Sequence, residues 1–153
     1  MHQQASMDEA STYETLSEQM AGMRRAFLYR ACSRAGLTPT QYFALSKIGE
    51  LGHACMSPLA HELALSPGGA TTLIDRLVRH GLVERKVDEG DRRKVWVTLS
   101  PQGREALALT NQYKHQVWRE VFMTLSPDER DQVLAGIRIQ SEAWRRFTEE
   151  ARP

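Results

Sequence analysis

The segment Ser66-Pro67-Gly68-Gly69-Ala70-Thr71-Thr72 joins a hydroxyl residue before proline, paired glycines and paired threonines. A serine at the N-cap accepts a hydrogen bond from a first-turn N–H, and a proline just after it has its φ already set for a helix. Each glycine costs such a helix on the order of 1 kcal/mol relative to alanine. The return would be bare backbone that a grooved partner can approach; the ordinary alternatives are a loose loop or close helix packing. Thr71 and Thr72 can donate or accept at a base edge, or set a methyl against thymine. Further along, Asp88-Glu89-Gly90-Asp91-Arg92-Arg93-Lys94 gathers three consecutive cations behind a polar turn. Clustered cations of this kind suit phosphates.

The elements that must carry these residues are legible from their caps. Five of the six prolines follow Ser or Thr, at Thr38-Pro39, Ser57-Pro58, Ser66-Pro67, Ser100-Pro101 and Ser126-Pro127. Gln41 after Thr38 and Glu129 after Ser126 complete capping boxes. Each pair precedes a helical pattern, so five helix starts are expected after an uncapped first helix from about Ser11 to Ala35. That helix shows an apolar stripe of Tyr13, Leu16, Met20, Met23 and Phe27 and ends at Gly36. The second is expected over Thr38–Leu51, with Phe43, Leu45, Ile48 and Leu51 apolar. The third covers Ser57–Leu65, and the fourth Ser66–His80, with Leu73, Ile74, Leu77 and Val78 facing inward and Gly81 as its stop. Alternation then replaces helical spacing in Val83-Arg85-Val87 and Val95-Val97-Leu99, which predicts a β-hairpin with a charged tip. Two helices follow, over about Pro101–Thr124 and Pro127–Phe147, the last with Val133, Leu134, Ile137, Trp144 and Phe147 apolar. The fold class expected is mainly α with a small β-hairpin wing, in the order α-α-α-α-β-β-α-α.

Composition narrows the function classes. At 153 residues, 41% hydrophobic and 25% charged, the chain suits a globular protein with a core of its own. No run of about 18 apolar residues occurs, and Met1–Met20 is polar and acidic without a signal-type apolar region, so a cytoplasmic location is expected. The net charge is only +1, modest for a nucleic-acid binder, yet acidic residues gather near the ends while Arg76, Arg79, Arg85, Lys86, Arg92, Arg93 and Lys94 crowd the middle. No nucleophile elbow, phosphate loop, dinucleotide fingerprint or metal-ligand helix is present, so no enzyme, cofactor or metal site is expected.

Ser57–Gly81 reads as a helix-turn-helix whose second member offers its N-terminal residues to base edges. The run Leu73-Ile74-Asp75-Arg76-Leu77-Val78-Arg79-His80-Gly81-Leu82-Val83-Glu84-Arg85, the turn Asp88–Arg93 and the run Val97-Thr98-Leu99-Ser100-Pro101-Gln102-Gly103 resemble the signature of the MarR regulators. That resemblance implies a winged helix-turn-helix homodimer on double-stranded DNA, acting as a repressor on a pseudo-palindromic operator. It implies a DNA-binding lobe at 37–100 and a helical dimerisation lobe from 1–36 and 101–153. By the same resemblance, Arg93 enters the minor groove and Asp91 orients it, while Pro67, Gly68, Gly69 and Thr72 face the major groove; Thr71 joins them by its place at the start of the helix. Arg76, Arg79, Arg85, Arg92 and Lys94 are expected at phosphates; a solvated surface or a salt bridge is the alternative for each. Two features depart from the pattern: Asp88 and Glu89 make the hairpin acidic, and the glycines leave few long side chains for bases, which favours shape readout.

A small aromatic or phenolic effector is implied too, with Tyr29, Arg30, Tyr42 and His53 as candidate pocket residues, although Tyr42 on an amphipathic helix also suits the core. Cys32 and Cys55 are the two cysteines, either a redox pair or buried small hydrophobes. His53, Cys55 and His61 lack a fourth zinc ligand. The competing functions are a winged-helix module that binds protein instead of DNA, and a thiol-based redox sensor within the same family.

Overall fold

A computed structural model of the chain describes residues 2–88, 90 and 95–150, with backbone alone at 2–6, 56 and 57. Its elements are α1 (His2–Arg34), α2 (Pro39–Leu51), β1 (Ala54–Cys55), α3 (Met56–Glu62), α4 (Pro67–Arg79), β2 (Val83–Val87), β3 (Val95–Leu99), α5 (Pro101–Met123) and α6 (Pro127–Glu150). The chain is mainly helical with one small antiparallel sheet, as the sequence implies. Two compact units divide it, Met1–Lys114 and His115–Pro153.

Local hydrogen bonds set the helix starts. At α2 the Thr38 hydroxyl accepts from Gln41 N at 3.2 Å, and the Gln41 side chain accepts from Thr38 N at 2.8 Å. Ser126 and Glu129 form the same reciprocal pair at α6, and Ser66 and Ser100 accept from Gly69 N and Gly103 N at α4 and α5. The Ser57 start is corrected: α3 begins at Met56 behind Cys55, which gives no side-chain cap. The reason lies outside the helix, because β1 immediately precedes it and pairs Cys55 with Trp96 of β3, which fixes where the chain turns.

Three helix ends share one pattern. Leu37 N donates to Cys32 O, Leu65 N to Ala60 O and Leu82 N to Leu77 O, each at 2.9 Å, closing α1, α3 and α4 with the bond spacing of a Schellman turn. The residue before each donor has positive φ: Gly36 at 67°, Ala64 at 51° and Gly81 at 68°. Ala64 carries a Cβ into the left-handed region, which costs about 1 kcal/mol or more.

The core of the first unit lies under the sheet. Cys32, Leu45, Ile48, Leu59, Ile74, Leu77 and Val97 are fully buried there. Along α2 the buried set is Gln41, Tyr42, Ala44, Leu45 and Ile48, whereas Phe43 and Leu51 are exposed, and on α4 Val78 also faces out. The inward face of α2 is therefore rotated from the expected one. Tyr42 belongs to it because its hydroxyl donates to Asn111 Oδ1 at 2.9 Å and accepts from Lys114 Nζ. Sheet order is β1-β3-β2, with Arg85 opposite Val97 and Val83 opposite Leu99. Val83, Val97, Leu99 and Ala54 thus bury one sheet face.

Candidate nucleic-acid interface

α4 is the element on which the paired glycines and threonines sit. Ala70, Ile74 and Leu77 bury one side of it, at the helical spacing that leaves Pro67, Gly68, Thr71 and Thr72 exposed on the other. A Cβ added at Gly68 would meet nothing within 4 Å, so helix packing is not what requires that glycine. Gly69 is tighter, with the Ser66 hydroxyl 3.2 Å from the position of its missing Cβ. The threonine hydroxyls donate back into their own helix, Thr71 to Pro67 O at 3.0 Å and Thr72 to Gly68 O at 2.9 Å. With the proton so used, each side chain presents to the outside an accepting oxygen and a methyl group.

The hairpin is fastened directly to this helix. Arg85 of β2 pairs with Asp75 of α4 at 2.7 Å, both side chains only partly exposed. Arg85, expected at a phosphate, is thus spent on bracing the wing against α4. Arg76 and Arg79 stay exposed along α4 and have no ion pair among the described residues; Arg79 Nε donates to Asp75 O at 3.4 Å. Asp91, Arg92, Arg93 and Lys94 lie outside the described residues. At the root of the tip, Asp88 accepts from Gly90 N at 2.9 Å and from Trp96 Nε1 at 2.8 Å.

The turn after α4 is locked onto α5. Ser100 N donates to Leu82 O at 3.1 Å, and the Ser100 hydroxyl donates to Gly81 O. A Cβ on Gly103 would sit 1.9 Å from Leu82 O, so only glycine permits this approach.

The four candidate effector residues do not meet in one cavity. Tyr29 and Arg30 line a cleft of about 880 Å³ with Ser33, Arg34 and Tyr113, where the Arg34 guanidinium lies 4.4 Å over the Tyr113 ring. Tyr42 is core, and His53 stands edge-on to Trp96 with ring centroids 4.7 Å apart. Tyr29 and Arg30 are consecutive in α1, and Ser33 and Arg34 follow them one turn on; these two and Tyr113 were not foreseen. The Ser33-Arg34 step on the same face was the available signal. Cys32 is fully buried, and that burial pushes its thiol up from the usual range despite the opposing charge of Lys114. Among the described residues no three His, Cys, Asp or Glu side chains converge as metal ligands, and no helix is long and apolar enough to cross a membrane.

A tri-helical core with a helix-turn-helix, followed at once by a sheet hairpin tied to the second helix, defines a winged helix-turn-helix protein. Among solved structures, YusO from Bacillus subtilis aligns with a TM-score of 0.76 at 21% identity, covering 89% of this chain and 97% of that one. A mutant MarR from E. coli complexed with operator DNA aligns at 0.65 and 24%, covering 85% and 94%. At these identities the likeness establishes the fold. The HTH-type transcriptional regulator YwhA from Bacillus subtilis is 39% identical over 64 residues, 42% of this chain and 46% of YwhA. The chain thus spans about half the length of the curated relatives it matches. Residues 37–95 match the MarR family model. That matched segment is the one that holds the helix-turn-helix and the wing's strand β2, and it reaches the first residue of β3.

Proposed function

We propose that the chain is a transcriptional regulator that binds double-stranded DNA as a homodimer, setting α4 in the major groove and the hairpin tip in the adjacent minor groove. The observation that carries this reading is the joined pair: α4 shows a face of bare backbone and threonines, and Arg85–Asp75 fixes the wing beside it. Gly68, open to solvent and unneeded for packing, lets a base edge or sugar approach the helix backbone. Pro67, Gly69, Thr71 and Thr72 complete the reading face. Arg76 and Arg79, with Arg92 and Lys94, contact phosphates, which position the protein without specifying sequence. Arg93 enters the minor groove with Asp91 as its orienting partner.

The dimer is supported by unburied apolar surface within each unit. In the first, Tyr13, Leu16, Met20 and Met23 of α1 are exposed; in the second, Val133, Ile137, Trp144 and Phe147 of α6 are exposed, and α6 has no buried residue. A two-fold pair would offer two α4 helices to half-sites roughly 34 Å apart, hence a pseudo-palindromic operator. Repression follows if that operator overlaps a promoter. The cleft with Tyr29, Arg30, Arg34 and Tyr113 supports release by a small aromatic effector, the arginines meeting its anionic or phenolic oxygen. The alternative of a thiol sensor at Cys32 is disfavoured by its burial and its raised pKa.

The test is duplex binding against salt concentration. A specific class of sites with a steep negative slope of log affinity on log salt is expected. Arg93→Ala should weaken binding at least tenfold in a chain that remains folded; wild-type affinity in that variant would remove the wing assignment. Thr72→Ala should change base preference at one half-site position, and an unchanged selection profile would remove Thr72 from the reading face.

A further inference from the structure

The acidic residue at the root of the hairpin opposes the wing's proposed task if charge alone is counted. Its surroundings give it another. Asp88 follows β2 directly, and both of its carboxylate oxygens are engaged: Oδ1 accepts from Gly90 N at 2.9 Å, across the turn, and Oδ2 accepts from Trp96 Nε1 at 2.8 Å, across the hairpin. Trp96 is itself held. It lies opposite Lys86 on β2 and Cys55 on β1, and its ring takes the edge of His53, two residues before Cys55, at 4.7 Å and 73°. Side-chain alternation puts His53, Cys55, Trp96, Lys86 and Asp88 on the sheet face opposite buried Val97 and Leu99. The two-residue strand β1 thereby acquires a purpose, since it brings His53 up behind the indole.

We propose that Asp88, Trp96 and His53 are positioning residues that form a clamp at the root of the hairpin, so that the acid there promotes DNA binding instead of resisting it. The proposal rests on the DNA-binding reading above and adds to it the groups that orient the wing. A site held to within about half an ångström needs supporting hydrogen bonds behind the contacting side chains. Here one carboxylate joins the turn to a ring that is braced from a third strand.

Charge and clamp predict opposite signs, which makes the test sharp. Removing a negative charge near DNA should tighten binding on electrostatic grounds. The clamp predicts that Asp88→Asn, which can no longer accept on both oxygens, weakens it about tenfold. Trp96→Phe, which keeps a ring against His53 but loses the N–H, should weaken binding at least threefold. Glu84→Gln, on exposed β2 and outside the clamp, should bind as tightly as wild type or tighter. Affinities are measured on a duplex selected by the wild-type chain from a random pool, with thermal unfolding of every variant alongside. Should Asp88→Asn fold poorly, Trp96→Phe carries the comparison. Asp88→Asn binding as well as Glu84→Gln would overturn the proposal. A second readout is independent of DNA: exchange of the Gly90 amide and the Trp96 indole N–H, followed by NMR, should accelerate at least tenfold in Asp88→Asn. Unchanged exchange would overturn the clamp even if binding fell. If the wild-type chain selects no duplex, the DNA-binding reading fails, and the exchange rates still decide whether the clamp exists.

Discussion

Gly68 concentrates the trade between stability and recognition into one hydrogen atom. Nothing in the protein lies within 4 Å of where its Cβ would be, and it occupies the first turn of a helix, where alanine is favoured. Gly68→Ala should therefore stabilise the fold by up to roughly 1 kcal/mol. It should also weaken duplex binding if α4 reads DNA as proposed, because the methyl would then stand where a base edge or sugar approaches. Calorimetry and a binding titration on the same sample check both; a rise in Tm with unchanged affinity would take Gly68 off the reading face. Cys32 gives a second test at this scale. Its thiol is fully buried and its pKa raised by that burial, so at neutral pH it stays protonated and out of reach of alkylating reagents. Native protein should lose this thiol to iodoacetamide only at the rate of unfolding, and addition of mild denaturant should speed that loss.

Among the elements, the turns matter more than the helices they join. The turn between α3 and α4 closes on Leu65 N to Ala60 O with Ala64 at φ 51°, the place that Gly36 and Gly81 fill at the ends of α1 and α4. Ala64→Gly should raise stability by on the order of 1 kcal/mol, since the relief of the left-handed Cβ outweighs the extra freedom of the unfolded chain. A fall in Tm would contradict that assignment. Gly103 gives the opposite sign. A Cβ there would lie 1.9 Å from Leu82 O, a backbone atom that cannot swing aside, so Gly103→Ala must push α5 away from the turn after α4. A loss of about 3 kcal/mol or more is expected, read from denaturant unfolding. Loosening that turn also releases the end of α4 and the start of β2, so DNA binding should fall further than the unfolded fraction explains.

At the scale of the whole molecule, the exposed apolar surface is too large to be left in water. Ile139, Trp144 and Phe147 of α6 are each more than half exposed, as is Leu16 of α1. Apolar side chains exposed within each unit are what the proposed dimer would cover. Sedimentation should give a dimer at micromolar concentration. Ile137→Asp should yield monomers and abolish tight binding to a two-half-site duplex, since the affinity gained from joining two sites is lost with the link. A monomeric wild-type chain would remove the dimer, and with it the palindromic operator.

What the sequence determined was whatever depends on neighbours a few residues apart. The hydroxyl caps at Thr38, Ser66, Ser100 and Ser126 reach only three residues forward, so residue type and spacing define them, and the stops at Gly36 and Gly81 follow from φ alone. The alternation of Val83–Val87 and Val95–Leu99 likewise carries its own signal. Tertiary structure decided the rest. The strand Ala54–Cys55 is too short to show a period and exists because β3 is there to pair with it, which in turn moved the start of α3 off Ser57. Asp75 and Arg85, Asp88 and Trp96, and Tyr42 and Lys114 meet only after the chain has folded back on itself. A charge or ring in the sequence states what it can bond to, and packing alone chooses the partner.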